Sequence, residues 1–327
     1  MKRAAIVALL VLLASVLSSC VSTGTKVVCA MDTVSQIKIY ADGRKAEALA
    51  EEAERILLRL DRAFSASDGD IGRLNGGEVA SLSGDAAAVT EKAIYIKELS
   101  DGAFDPGLGL LTSLWDIPAK VGTTAEPPDG DAVKDALSRK GRPEVKDGVL
   151  TVEGDVSLDL GGIAKGAACE IIVRSMTEGG AAGGIIDLGG NVGVFGKKPD
   201  GENVYTVALT SAGEAFAYVK ISDAFVSVAS SELRYFTDSA GNRYHHILDP
   251  GTGYPADSEF LSVAVISRDG AYADALSTAI FVAGWEKALS MRERCGVPFD
   301  AVALKKSGEV IYTENNTIIT GAVKTAP

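Results

Sequence analysis

The order of apolar and polar residues gives the first part of the chain mainly helical periodicity and the later part strand periodicity. Residues 35–40 alternate with period two, Ile37 and Ile39 between Gln36, Lys38 and Tyr40, and predict a strand. Beyond Asp42-Gly43 the spacing becomes helical. Ala46, Leu49, Ala53, Ile56 and Leu60 share one face, and Glu47, Glu51, Glu54 and Arg55 lie away from it. A polar loop is expected over 64–71, running on to Leu74-Asn75, and a second helix over 86–99. Residues 118–148 are rich in Pro, Gly, Asp and Lys and predict a surface excursion with a short helix over 131–137. Later the pattern is that of strands: strand, glycine turn and strand over 184–196, then short alternating runs at 205–209, 217–221 and 224–228. A run of strands after helices favours an α+β fold over a simple βαβ series.

The N-terminus follows another logic. Lys2 and Arg3 precede an apolar run over 4–16, which ends in Leu17-Ser18-Ser19-Cys20. Positive residues, a short apolar stretch and small residues before a cysteine predict a lipoprotein signal peptide over 1–19 with lipidation at Cys20. The run is shorter than the roughly 20 residues a spanning helix needs. Two or more acyl chains would hold the mature chain stably on a membrane surface. The expected organisation is therefore a lipidated cysteine and flexible tether at 20–30 and one domain at 31–327, lipid-anchored and extracytoplasmic.

Charge narrows the partners. The net charge of −12 becomes −14 without Lys2 and Arg3, which disfavours nucleic acid and offers no basic patch to anionic lipid. Cys29, Cys169 and Cys295 are left after Cys20, an odd number without metal spacing, so neither a disulfide framework nor a zinc site is suggested.

Candidate chemistry gathers in four stretches. In Asp159-Leu160-Gly161-Gly162-Ile163-Ala164-Lys165-Gly166, an apolar run from Ser157 meets an acid, two glycines and a helix-forming segment. A strand-to-helix turn of this kind brings backbone close to a ligand and aims free N–H groups at a phosphate, with Lys165 adding a positive charge. A tight packing turn explains the same glycines. In Asp101-Gly102-Ala103-Phe104-Asp105-Pro106, Phe104 could cover an aromatic ligand and Asp105 accept from a sugar or base, or Gly102 could simply end a helix. His245 and His246 point in different directions on a strand, so they are poor joint metal ligands, and one of them is expected at a site. Asp274 and Thr278 are four apart, with Ser277 beside them; on a helix they share a face and offer hard oxygens to Mg²⁺, unless Asp274 merely caps that helix.

Taken together, these stretches resemble the FAD:protein FMN transferase family, the ApbE-like flavin transferases. The resemblance is carried by Met31-Asp32-Thr33, Phe64-Ser65, the 101–106 stretch through Leu114-Trp115, the 159–166 stretch, and Leu188-Gly189-Gly190-Asn191. It continues in His246-Ile247-Leu248-Asp249-Pro250 with Thr252-Gly253 and Pro255, and in Asp274-Ala275-Leu276-Ser277-Thr278. It implies an ApbE-like α+β fold with T-fold-like halves and a flavin cleft between them. It implies that Met31, Ala103, Phe104, Asp105, Asp159, Lys165 and Leu248 contact FAD, with Ser67 at a position where relatives carry tyrosine or asparagine. Mg²⁺ would be held by the Gly162 carbonyl, Asp274 and Thr278, with Ser277 close by. His246, Lys165 and Asp274 are the catalytic candidates. The implied reaction moves FMN from FAD to a threonine of an acceptor flavoprotein, a redox pump or reductase subunit, and releases AMP. Three departures stand out: Ser67 with a shortened loop, Val228-Ala229-Ser230 in place of Thr-Ser-Gly, and Asp32 in place of glycine. The first favours, as the alternative, Mg²⁺-dependent hydrolysis of FAD to FMN and AMP. A non-catalytic FAD-binding lipoprotein is the further alternative.

Overall fold

The computed structural model describes residues 21–139, 141–314 and 316–326, so the expected signal peptide and Cys20 lie outside the described residues. Strand β1 (Val21–Ala30) pairs along its whole length with β2 (Thr33–Asp42), from Val21 opposite Asp42 to Ala30 opposite Thr33. This corrects the expected tether over 20–30: the fold already includes Val21. Ser22, Thr23 and Gly24 read as linker by composition, but β2 supplies a row of backbone partners, and a paired backbone outweighs weak strand propensity. Glycine is needed at 24, where a Cβ would stand 2.1 Å from the Ala46 carbonyl oxygen.

Helix α1 (Lys45–Phe64) buries Ala46, Ala50, Ala53, Ile56, Leu57 and Leu60, a face close to the one its periodicity predicts. The loop expected over 64–71 is shorter than that, because helix α2 (Asp70–Asn75) begins inside it. Strand β3 (Leu82–Ser83) leads to helix α3 (Asp85–Leu99). The segment up to Gly154 holds helices α4 (Gly109–Trp115), α5 (Ile117–Lys120) and α6 (Gly130–Ser138) and strands β4 (Gly141–Lys146) and β5 (Val149–Gly154). Trp115 is fully buried there, its Nε1 donating to the Gly253 carbonyl at 2.8 Å. Helix α7 (Ala164–Glu178) follows the double glycine. The expected strand before it is not formed: Ser157 makes only a single parallel bridge with Leu108.

The later part contains β6 (Gly183–Leu188), β7 (Asn191–Gly196), β8 (Tyr205–Ser211), β9 (Glu214–Ile221) and β10 (Ala224–Ser230). The short strands β11 (Tyr235–Thr237) and β12 (Arg243–His245) precede β13 (Phe260–Ser267). Helices α8 (Gly270–Ala283) and α9 (Trp285–Arg294), then β14 (Phe299–Lys305), β15 (Val310–Tyr312) and β16 (Lys324–Thr325), complete the chain.

Eight strands form one antiparallel sheet in the order β1-β2-β6-β7-β10-β13-β14-β15. Helices cover one face, and the small sheet β16-β9-β8 covers part of the other. Alternation along β13 serves both cores, with Val263 and Val265 on the helical side and Ala264 and Ile266 on the other. The early and late strands meet along β7 and β10, where Asn191 stands opposite Ser227. Helices α7 and α8 pack beside that seam and touch at two glycines: a Cβ on Gly166 would lie 2.0 Å from the Gly270 carbonyl oxygen. This close crossing positions the site.

Candidate active site

A cavity of about 310 Å³ opens on the helical side of the seam. Its floor is the α7–α8 crossing. Asp274 does not cap its helix; Asp269 does, accepting from the Tyr272 N–H at 3.0 Å. Asp274 instead lies in the second turn, buried, with Oδ2 accepting from the Gly166 N–H at 2.9 Å and Oδ1 from the Ser227 hydroxyl at 2.8 Å. One of the N–H groups at the start of α7 therefore serves a side chain of the protein. Ser277 donates to the Asp274 carbonyl at 2.8 Å, and Thr278, one turn beyond Asp274, is half-buried at the cavity wall. A Cβ added at Gly162 would sit 3.6 Å from Thr278 Oγ1 and 3.0 Å from the Phe104 ring. Glycine thus lets the turn lie between helix α8 and an aromatic ring.

Two loops stitched to each other make one wall. Asp105 Oδ1 accepts from the Gly107 N–H at 2.8 Å, and Lys97 stands 2.7 Å from its other oxygen. Asp159 repeats the pattern, accepting from the Gly161 N–H at 2.7 Å while its own N–H donates to Pro106 at 2.8 Å. Asn75 pins the second loop, accepting from the Leu158 N–H and donating to the Leu158 carbonyl. Phe104 is buried, and Ala103 lines the cavity beside it.

The opposite wall carries His246 and Arg234. His246 hangs from Arg234: its N–H donates to the Arg234 carbonyl at 3.0 Å, and Nδ1 lies 3.3 Å from the same oxygen. A carbonyl only accepts, so this contact puts the imidazole proton on Nδ1 and leaves the Nε2 lone pair free. Burial, then the nearby Arg234 and Lys165 cations, push the His246 pKa down to about 3, so the ring is neutral at pH 7. His245 faces away from the cavity, with Nε2 on the Ala256 carbonyl at 3.1 Å and its ring edge-on to Phe281. Lys165 reaches the Gly161 carbonyl at 3.4 Å, and Arg234 donates to the Asp32 carbonyl at 2.9 Å.

The cavity thus gathers most of the sequence-predicted site residues: Ala103, Phe104, Asp105 and Asp159 on the loops, Gly162 and Lys165 at the turn, His246 and Leu248 opposite, and Asp274, Ser277 and Thr278 on α8. Met31 and Ser67 are placed elsewhere. Met31 adopts a left-handed backbone, donates its N–H to Asp61 and packs against the helical core, so its neighbour Asp32 lines the cavity. Ser67 is exposed, with its hydroxyl near Ser65 and Asp68. Arg234 and Ser227 carry no signal in the sequence, and Asn191 stands there as part of a motif without a role. Arg234 lies between short strands without periodicity, and the role of Ser227 needs the sheet register. Asn191, at the double glycine 189–190, had a signal in its motif. Among the described residues no group of three or more His, Cys, Asp or Glu side chains is placed to hold a metal. A cation here would meet one carboxylate, two hydroxyls and the Gly162 carbonyl, with phosphate or water completing the shell.

Known proteins agree with this architecture. A FAD:protein FMN transferase of Treponema pallidum is 31% identical over 303 residues, covering 81% of this chain and 80% of that protein. One of Haemophilus influenzae is 28% identical over 284 residues, with 81% and 82% covered. The crystal structure of the ApbE protein from Thermotoga maritima superposes with a TM-score of 0.79 at 27% identity, covering 90% of this chain and 97% of that one. The apo flavinyl transferase ApbE of Pseudomonas stutzeri gives 0.73 at 26%, covering 90% and 94%. Residues 31–299 match the ApbE family as a whole, and the chain belongs to that family.

Proposed function

We propose that this chain transfers FMN from FAD to a threonine hydroxyl of an acceptor flavoprotein and releases AMP. The observation that carries the reading is the cavity itself, where two cations, a neutral imidazole and a hard oxygen set converge in a protein of the ApbE family. The Gly162 carbonyl, Asp274 and Thr278, with Ser277 beside them, are suited to Mg²⁺, and the single carboxylate makes binding depend on phosphate oxygens. Bound there, Mg²⁺ would neutralise charge on the diphosphate and polarise its phosphoryl oxygens.

The residues of the chain account for the rest. Lys165 and Arg234 offset negative charge that builds on the phosphoryl oxygens. Phe104 and Leu248 offer apolar surface to a ring of the substrate. In the transfer, the threonine oxygen forms a bond to the phosphorus on the FMN side, the bridging P–O bond breaks, and AMP leaves with that oxygen. Burial and the Arg234 and Lys165 cations disfavour a charged His246 ring, and a bound diphosphate offsets those cations. The hydroxyl proton then passes to Nε2 of His246 and on to solvent, while Nδ1 keeps its proton on the Arg234 carbonyl.

One observation favours a second reading. Ser67 is exposed and engaged with Ser65 and Asp68, so it contributes nothing to the cavity lining, and water has one bulky side chain fewer to displace. Water attack at the same phosphorus gives FMN and AMP. We further propose that Cys20 carries a lipid and that the domain works on the extracytoplasmic side. Because β1 begins at Val21, such an anchor would hold the domain directly against the bilayer. The wild-type chain is then expected to incorporate labelled fatty acid and C20A to incorporate none, and an unlabelled wild-type chain would count against anchoring. The test of the main reading incubates residues 21–327 with FAD and Mg²⁺, with and without an acceptor domain, and follows AMP, free FMN and protein-bound flavin. Acceptor-dependent bound flavin supports transfer. Free FMN regardless of acceptor supports hydrolysis, and binding without AMP release contradicts both.

A further inference from the structure

Asn191 opens β7 at the seam of the sheet, directly opposite Ser227 on β10. Residues in this relation place their side chains on the same face, with Cβ atoms about 5 Å apart. That face is the one against which α8 packs, because Ser227 donates to Asp274. Asn191 is only 3% exposed and lines the cavity, yet its side-chain oxygen Oδ1 is buried without a hydrogen-bond partner among the described residues. An orphaned buried acceptor lowers stability and calls for an explanation.

Several donors of this corner are committed elsewhere, and none of the described residues reaches Oδ1. The Ser227 hydroxyl and the Gly166 N–H both go to Asp274, Ser277 donates to its own helix, and the Cys169 thiol lies 3.3 Å from the main-chain carbonyl of Asn191. A donor from outside the protein would satisfy Oδ1. A Mg²⁺ ion beside Asp274 would bring one, since Mg²⁺ retains several waters and each offers two hydrogens. We propose that Asn191 Oδ1 accepts a hydrogen bond from a Mg²⁺-bound water and so acts as a positioning residue for the metal. The inference rests on the Mg²⁺ reading above. It adds a neutral amide oxygen on the sheet to an oxygen set otherwise supplied by helix α8 and the Gly162 turn.

The test is calorimetric titration of Mg²⁺ into the 21–327 chain in the presence of ADP, a diphosphate with no FMN to transfer. N191A and N191L are expected to weaken Mg²⁺ binding by roughly ten- to a hundredfold, the usual effect of losing an outer-shell partner. Their metal-free melting temperatures should not fall, because they remove an unpaired polar group rather than a bond. N191D should restore Mg²⁺ binding, since aspartate presents an oxygen at either end of the group whichever way the amide is turned. FAD affinity in EDTA, read on N191A and N191L because N191D adds a like charge beside the diphosphate, should be unchanged. Unchanged Mg²⁺ affinity in N191L overturns the proposal. So does a loss that N191D does not rescue, or a parallel loss of FAD affinity in EDTA, which would make Asn191 a substrate contact. Failure of the transfer reading looks different: a wild-type chain that binds Mg²⁺ normally and leaves the acceptor without flavin.

Discussion

On the floor of the cavity, Asp274 is held by a backbone N–H of one helix and a hydroxyl of the central sheet, where two helices touch through glycine. The rim is built otherwise. Leu233 is 62% exposed, Arg234 is held by one hydrogen bond to the Asp32 carbonyl, and Ser67 stands outside the lining. The floor fixes a carboxylate in rigid packing and the rim presents Arg234 from a looser one, so mutations in the two regions should fail differently. Floor variants should lose metal-dependent chemistry or the fold, and rim variants should keep the fold and lose substrate affinity.

The largest effect is expected from D274A. It should cut Mg²⁺-dependent AMP release by roughly 10³-fold. It should also destabilise the chain by about 1–3 kcal/mol, because the Gly166 N–H and Ser227 hydroxyl lose their acceptor. Comparing turnover with thermal unfolding separates the two losses. G166A comes next. Its Cβ would meet the Gly270 carbonyl at 2.0 Å and Asp274 Cβ at 2.6 Å, and overpacking of this kind costs about 1–3 kcal/mol. Calorimetry should show a clear fall in melting temperature for G166A and almost none for L233A on the rim.

R234A should weaken FAD binding roughly tenfold, the usual range for losing a charge-assisted contact, with little change in melting temperature. An equal loss of stability would move Arg234 from the rim to the framework. The smallest effect concerns pH. His246 is held at about 3 when folded, against 6.5 ordinarily, so the unfolded chain takes up a proton that the folded chain refuses between those values. Its contribution to stability is full above pH 6.5 and falls as the solution is acidified through that window. H246Q should therefore show a shallower loss of melting temperature from pH 7 to pH 4.5. Part of the slope remains, because burial also lowers His245.

The floor was the more legible region. Gly162, Lys165, Asp274 and Thr278 sit in short runs whose spacing already implied a turn and a shared helical face. The α+β class followed from helices giving way to strands. What remained hidden depends on pairing distant segments. Val21–Ala30 reads as linker until β2 is beside it. Ser227 is an ordinary strand residue until the register sets it opposite Asn191 and under Asp274. Arg234 reaches the cavity through a carbonyl bond to His246 and a side-chain bond to Asp32, and no local period records either. The Ser157–Leu160 run looked like a strand because it is apolar, yet it is a loop tied down by Asn75.

Floor and rim have to act on one phosphorus atom, and the product shows most directly whether they do. The decisive measurement is peptide mass spectrometry of an acceptor domain after incubation with the chain, FAD and Mg²⁺. The account predicts a threonine peptide heavier by one FMN less one water, formed in step with AMP and absent with D274A. Free FMN equal to the AMP released, with every acceptor peptide unmodified, would contradict transfer and leave hydrolysis as the reaction.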